Sequence, residues 1–214
     1  MLRSRNVSTT NAPAVGETGA ARTLRIILGA RAVWDAAFAL YLLQLRARSV
    51  AELLEAFVQF AIVDGMLALA MAVAYLVVAP RYMLWLSPAT DAATRGVLVT
   101  LALLGPGIPT LPLTAVLFVG LVATFAFADG ALDLVEGLSL DRELGHGSGW
   151  LPLVVSGSVA MVVGVALFFL GTHVDLLRLL LAALTGVHGA AFAFGTRHVS
   201  ALLESRGGQS VRSP

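Results

Sequence analysis

The chain has 214 residues, of which 58% are hydrophobic and 13% charged, and its mean hydropathy is +0.87. A soluble domain carries roughly twice that charged fraction, so the composition is that of an integral membrane protein whose first partner is the lipid bilayer. With a formal net charge of +1, no lysine and no cysteine, the chain offers no clustered basic face to nucleic acid, and it excludes disulfides, thiolate metal sites and cysteine nucleophiles.

Residues 1–22 are polar and lack the apolar core of a cleaved signal, so they are expected to be a disordered cytoplasmic tail. A helix needs about 20 apolar residues to cross the hydrocarbon core. Six runs approach that length within a membrane domain at 23–198: 24–45, 56–78, 93–108, 113–135, 151–170 and 176–195. The third is short and is broken by Pro106 and Pro109. Residues 199–214 are expected to be a flexible cytoplasmic tail. The expected fold is all-α, with six transmembrane helices and both termini in the cytoplasm. Arg3, Arg5, Arg22, Arg25, Arg81, Arg95, Arg142, Arg197, Arg206 and Arg212 then fall inside, against Arg46, Arg48 and Arg178 outside. The expected location is the cell membrane.

One pattern occurs three times: Ala61-Ile-Val-Asp64-Gly65, Ala126-Phe-Ala-Asp129-Gly130 and Thr185-Gly-Val-His188-Gly189. Each copy lies in the second helix of a hairpin. The first helices align through Arg31-Ala-Val, Arg95-Gly-Val and Ser156-Gly-Ser. The chain therefore reads as three repeated helical hairpins, at about 24–79, 93–138 and 150–197. Because each unit crosses twice, the copies share one orientation about an axis along the membrane normal.

The small residues Ala61 and Gly65, Ala126 and Gly130, and Thr185 and Gly189 are small-xxx-small pairs suited to close helix packing. Asp64, Asp129 and His188 sit beside those faces. Charge at a helix centre is costly in lipid, so they are expected either to bond to neighbouring helices or to form a shared protonatable centre. Asp129, Asp133 and Glu136 fall on one helix face, with Asp133 and Glu136 expected near a solvated helix end. Arg31 and Asp35 are four apart and suited to pair along their own helix; the alternative for Arg31 is a membrane-edge anchor. Trp34, Tyr82 and Trp85 suit interfacial positions. No phosphate loop, nucleophile elbow or His-Glu-x-x-His pattern is present, and His146, His173 and His188 lack ligand spacing, so neither catalysis, a cofactor nor a metal is expected.

Three hairpins of short apolar helices, the starts Arg95-Gly96 and Ser156-Gly157, and second helices such as VQFAIVDGMLALAMAV and VATFAFADGALDLVEG resemble the HdeD-like membrane proteins. The resemblance covers 24–197. It implies a six-helix inner-membrane protein, linked in some members to acid resistance, with no catalytic residues to carry over. Two features depart from the family pattern: His188 in place of an acid, and the proline-rich segment 105–112. The expected function is thus a non-enzymatic membrane protein in acid or envelope stress response. The alternatives are a small transporter or proton-conducting channel using Asp64, Asp129 and His188, or a membrane enzyme or its accessory subunit. A homo-oligomer or a further membrane partner is left open.

Overall fold

Helix starts in this chain are set by local chemistry as much as by hydropathy. The computed structural model describes residues 19–78, 84–104, 111–144, 151–170 and 173–210. It contains six helices: α1 (Gly19–Gln44), α2 (Val50–Val78), α3 (Leu86–Leu104), α4 (Leu111–Leu144), α5 (Leu151–Leu170) and α6 (Val174–Ser210). No strand occurs among the described residues. Ser49 caps α2, its Oγ accepting from the Glu52 N–H at 3.3 Å, while the Glu52 carboxylate accepts from the Arg48 N–H at 2.9 Å. This variant of the capping box starts the helix ahead of the apolar run expected at 56. Pro88, Pro112 and Pro152 lie in the first turns of α3, α4 and α5, where a missing N–H leaves no helical bond unmade. At the other end of α1, Arg178 of α6 donates from Nη1 to the Leu45 carbonyl at 2.6 Å, a cation on carbonyls that the helix leaves unpaired.

Five helices, all but α3, are long and apolar enough to cross a membrane, which makes this a multi-pass membrane protein. The expected third span, 93–108, is displaced: α3 begins at Leu86 and so takes in Asp91 and the polar first turns. Its 19 residues rise about 28 Å, close to the core thickness of about 30 Å. Two helices also run further than the apolar runs alone indicate. α4 reaches Leu144, through the first half of the polar connection at 138–149, and α6 reaches Ser210, through most of the segment 199–214 expected to be a flexible tail. Tyr82, His146, Pro106, Pro109 and most of the N-terminal tail lie outside the described residues.

Along the bundle axis the interior is built in layers. One apolar cluster joins Phe38 and Leu42 of α1, Phe57 and Phe60 of α2, Leu98, Phe118, Leu167 and Leu181. A smaller one joins Leu24, Leu28, Met71, Tyr75, Val78 and Leu84. Between them lies a buried polar layer to which all six helices contribute, through Arg31, Asp64, Asp91, Asp129, Ser156 and His188. α1 runs from the small cluster to the large one, α2 returns, and α3 repeats the direction of α1 from Leu84 to Leu98. α3 therefore passes through the same layers as the helices that flank it. The outer surface is apolar, with Val33, Met66, Leu103, Val162 and Phe169 among its most exposed residues, as lipid requires.

The tightest contacts lie between repeats rather than within them. α2 packs most closely on α3, α4 on α5, and α6 returns to α1, while α2, α4 and α6 also touch one another on the inside of the ring. The repeated glycines mark these seams. A Cβ on Gly130 would stand 2.5 Å from the Gly157 carbonyl oxygen and 2.8 Å from the Met161 nitrogen; one on Gly189 would stand 3.1 Å from the Ala32 oxygen; one on Gly65 would stand 3.0 Å from the Arg95 Cβ. In each case the partner is the first helix of the next repeat, at or beside the aligned Arg31, Arg95 and Ser156 positions. Ala61, Ala126 and Thr185 are buried as the small-residue pattern requires, and the Thr185 hydroxyl bonds back to the Leu181 carbonyl at 2.9 Å.

Even the smallest side chain should therefore be resisted at the α4–α5 seam. Gly130→Ala and Gly157→Ala are expected to lower stability by about 1–3 kcal/mol through overpacking. Gly96→Ala, where a Cβ meets nothing within 4 Å, should stay within about 0.5 kcal/mol of the parent in thermal unfolding in detergent.

Candidate functional site: a buried charged layer

Arg31 and Asp64 lie at the middle of α1 and α2, and both are almost fully buried, at 1% and 0% exposure. Arg31 is therefore no membrane-edge anchor. Its Nε donates to Asp64 Oδ1 at 2.8 Å and its Nη2 to Asp64 Oδ2 at 3.1 Å, the bidentate fork that suits a planar guanidinium. Nη2 also pairs with Asp91. From α3, Arg95 donates from Nε to Asp64 Oδ2 at 3.0 Å, and its Nη1 pairs with Asp91 Oδ1 at 3.0 Å. The four side chains form a closed cycle of alternating charge, Arg31, Asp64, Arg95, Asp91, which is neutral as a unit. Phe192 of α6 covers the outer face of Arg31, its ring centre 4.4 Å from Cζ.

This geometry changes three sequence expectations. Arg31 does not hydrogen-bond to Asp35 along its own helix, because Asp64 and Asp91 take its donors; Asp35 is buried, and its Oδ1 has no hydrogen-bond partner among the described residues. Arg95, expected at the cytoplasmic end of the third span, lies inside the bundle, its side chain 12% exposed. Trp34 is not interfacial: its ring stacks on Phe60 with centroids 6.2 Å apart, and its Nε1 donates to the Phe60 carbonyl at 3.3 Å. Trp85, partly buried, packs against the small apolar cluster.

The second half of the layer is acidic. Asp129, Asp133 and Glu136 share one face of α4, and all are buried, so Asp133 and Glu136 are not a solvated helix end. They gather around the N-terminus of α3, where Ser87 Oγ lies 3.2 Å from Asp129 Oδ1 and 2.9 Å from Asp133 Oδ1, and where the Ser87 backbone N–H faces Glu136. The unpaired amides at a helix start favour anions, which is the physical reason three carboxylates can collect there. His188 of α6 brings Nε2 to 3.8 Å from Asp129 Oδ2, and that nitrogen makes no hydrogen bond among the described residues. Asp129, Asp133 and His188 each present a possible ligand atom, all within 4.8 Å of one another.

Of the three equivalent residues, the structure thus brings Asp129 and His188 together and ties Asp64 to the arginines. The repeat alignment explains the split. Asp64 is held by the arginine of its own hairpin and that of the next. Asp129 should by analogy meet Arg95 and the residue at 156, but Arg95 is committed to Asp64 and Asp91, and position 156 carries Ser156. The Ser156 hydroxyl is buried without a hydrogen-bond partner among the described residues. A cavity of about 20 Å³, open to a single water centre, lies among Asp91, Arg95, Asp129 and His188. Asp64 does not line it, and meets it through its partner Arg95 and, by way of Arg31, through Asp91.

Sequence reasoning missed Asp91 and Ser87, since the third helix was expected to start after them. The Asp91–Arg95 spacing of four was the available signal. It also set aside metal ligation on histidine spacing alone, a test blind to ligands from two helices.

Removing one member of the charge cycle strands the others in a dry interior. Arg31→Met should cost about 3–5 kcal/mol in denaturation measurements, and the neutral double variant Arg31→Met/Asp64→Asn should recover most of that loss, because Arg95 and Asp91 then remain as a complete pair. No protein-family model matches the chain, and neither a characterised protein nor a solved structure matches it.

Proposed function

We propose that this chain is a non-enzymatic, six-span protein of the cell membrane, of the HdeD-like kind, which responds to cations at its buried polar layer and takes part in acid or envelope stress response. The observation that carries the reading is the pairing of Asp129 with Asp133, two carboxylates buried side by side with no guanidinium in hydrogen-bond reach among the described residues. Uncompensated charge in a low-dielectric interior costs several kcal/mol per ion. A cation that reaches the pair therefore tightens the contact of α4 with α3 and α6, so occupancy biases helix packing. The alternating passage of all six helices through the layers, together with the arginine distribution, supports six spans and two cytoplasmic termini.

A second reading, a small transporter or proton-conducting channel using Asp64, Asp129 and His188, is favoured by the cavity beside Asp129 and His188. The size of that cavity, enough for about one water, supports a binding centre over a conduit.

Reporter fusions at both ends should give cytoplasmic signals; opposite sides would remove the six-span reading. The double variant Asp129→Asn/Asp133→Asn should raise the melting temperature of the cation-free protein by a few degrees, since it removes stranded charge without changing shape. In a strain lacking the protein, the same variant should fail to restore survival under acid or envelope stress. Full restoration by a correctly inserted variant would reject the stress role, and cation flux through wild-type proteoliposomes above that of empty ones would replace it with transport.

A further inference from the structure

The third repeat departs from the other two at both aligned polar positions, with Ser156 for arginine and His188 for aspartate. Together the two changes take a guanidinium away from Asp129 and supply an imidazole nitrogen in its place. We propose that Asp129, Asp133 and His188 form a binding site for one divalent transition-metal ion of the zinc or cobalt kind, held between α4 and α6. The proposal rests on the cation-responsive reading above and names the cation.

Geometry supports it first. Metal bonds of about 2.0–2.2 Å at the tetrahedral angle put neighbouring ligand atoms about 3.3–3.6 Å apart, and His188 Nε2 stands 3.8 Å from Asp129 Oδ2, so a small closing movement of the two side chains brings both onto one ion. All three ligand atoms fall within 4.8 Å of one another. His188 is 6% exposed, and its Nε2 is aimed at the carboxylates without a hydrogen bond among the described residues, an arrangement that leaves the lone pair or proton of a buried nitrogen unanswered. A metal ion answers it. The adjoining cavity, with room for one water, offers the fourth position that three-ligand sites fill with solvent.

Charge and ligand type narrow the class. Two carboxylates offset a divalent ion, so the ion and its three ligands together carry no net charge, which lowers the cost of burying them in a membrane interior. One imidazole beside two carboxylates suits zinc, cobalt or iron(II) better than magnesium or calcium, which prefer oxygen alone. Neither arginine competes, since both are tied into the cycle with Asp64 and Asp91. Ser87 touches both ligating carboxylates and holds them in place, the role that outer hydrogen bonds play around metal sites.

The test uses the full-length chain, purified in detergent, stripped of metal and titrated with Co²⁺ alone. The expected result is one Co²⁺ per chain with visible d–d absorption, displaced by Zn²⁺, and affinity at least tenfold weaker in Asp133→Asn and in His188→Ala. A variant with His146, His173 and His198 all changed to Ala keeps only His188, so it should retain the absorption, and magnetic resonance of its Cu²⁺ form should show one imidazole nitrogen. No metal bound by the folded wild-type chain, or no nitrogen ligand in the single-histidine variant, would overturn the proposal. Absent metal binding with stress survival still lost in Asp129→Asn/Asp133→Asn would overturn the metal site and leave the cation reading; metal binding with survival unaffected would support the site and remove the stress role.

Discussion

Asp64 is held by two guanidiniums from different hairpins, and that double pairing is what the rest of the bundle is arranged around. Arg31 and Arg95 cannot sit in a membrane interior alone, and each is offset only when α1, α2 and α3 stand in one register. A one-turn slip of α3 would carry Arg95 about 5.4 Å along the axis and leave Asp64 and Asp91 each short of a partner. The cycle thus fixes axial register where apolar packing is permissive, since Leu, Val and Ala slide past one another at little cost. Its net stabilisation is modest, because desolvation consumes most of the Coulombic gain. Its larger effect is on which arrangement of the helices is allowed.

The architecture turns an approximate threefold repeat into an asymmetric interior. Arg31 and Arg95, from the first two repeats, are neutralised by Asp64 and Asp91, whereas Asp129 meets the serine and histidine of the third. Backbone approach remains repetitive, with Gly65, Gly130 and Gly189 each meeting the next hairpin. Packing and polar chemistry have therefore diverged separately: the seams keep the repeat, while the polar layer concentrates uncompensated acid in one place.

How much of this was legible depended on range. The helices, the hairpin repeat and the small-residue seams follow from apolar length and local spacing, which are properties of one segment at a time. The starts of α2 and α3 were misjudged because Ser49, Glu52 and Pro88 are polar or helix-breaking by composition yet favour a helix start by position. Asp133 and Glu136 looked like a helix end because their own segment becomes polar, whereas the α3 N-terminus that receives them lies more than forty residues away in sequence. Asp91 was passed over for the same reason. The partners of Arg31, likewise, come from α2 and α3, and no pattern within α1 specifies them.

Because the closest contacts join different hairpins, α1 obtains its main neighbour only when α6, the sixth helix along the chain, arrives. Until then the flat face of α1 around Ala32 and Ala36 stays open to lipid, and Arg31 lacks the aromatic cover of Phe192. The nascent chain is thus an open arc that becomes a ring only when α6 docks on α1. Without α6, Arg31 keeps its pairs with Asp64 and Asp91 but loses the Phe192 ring, so what the closing helix adds is apolar cover over a charge that α2 and α3 have already offset.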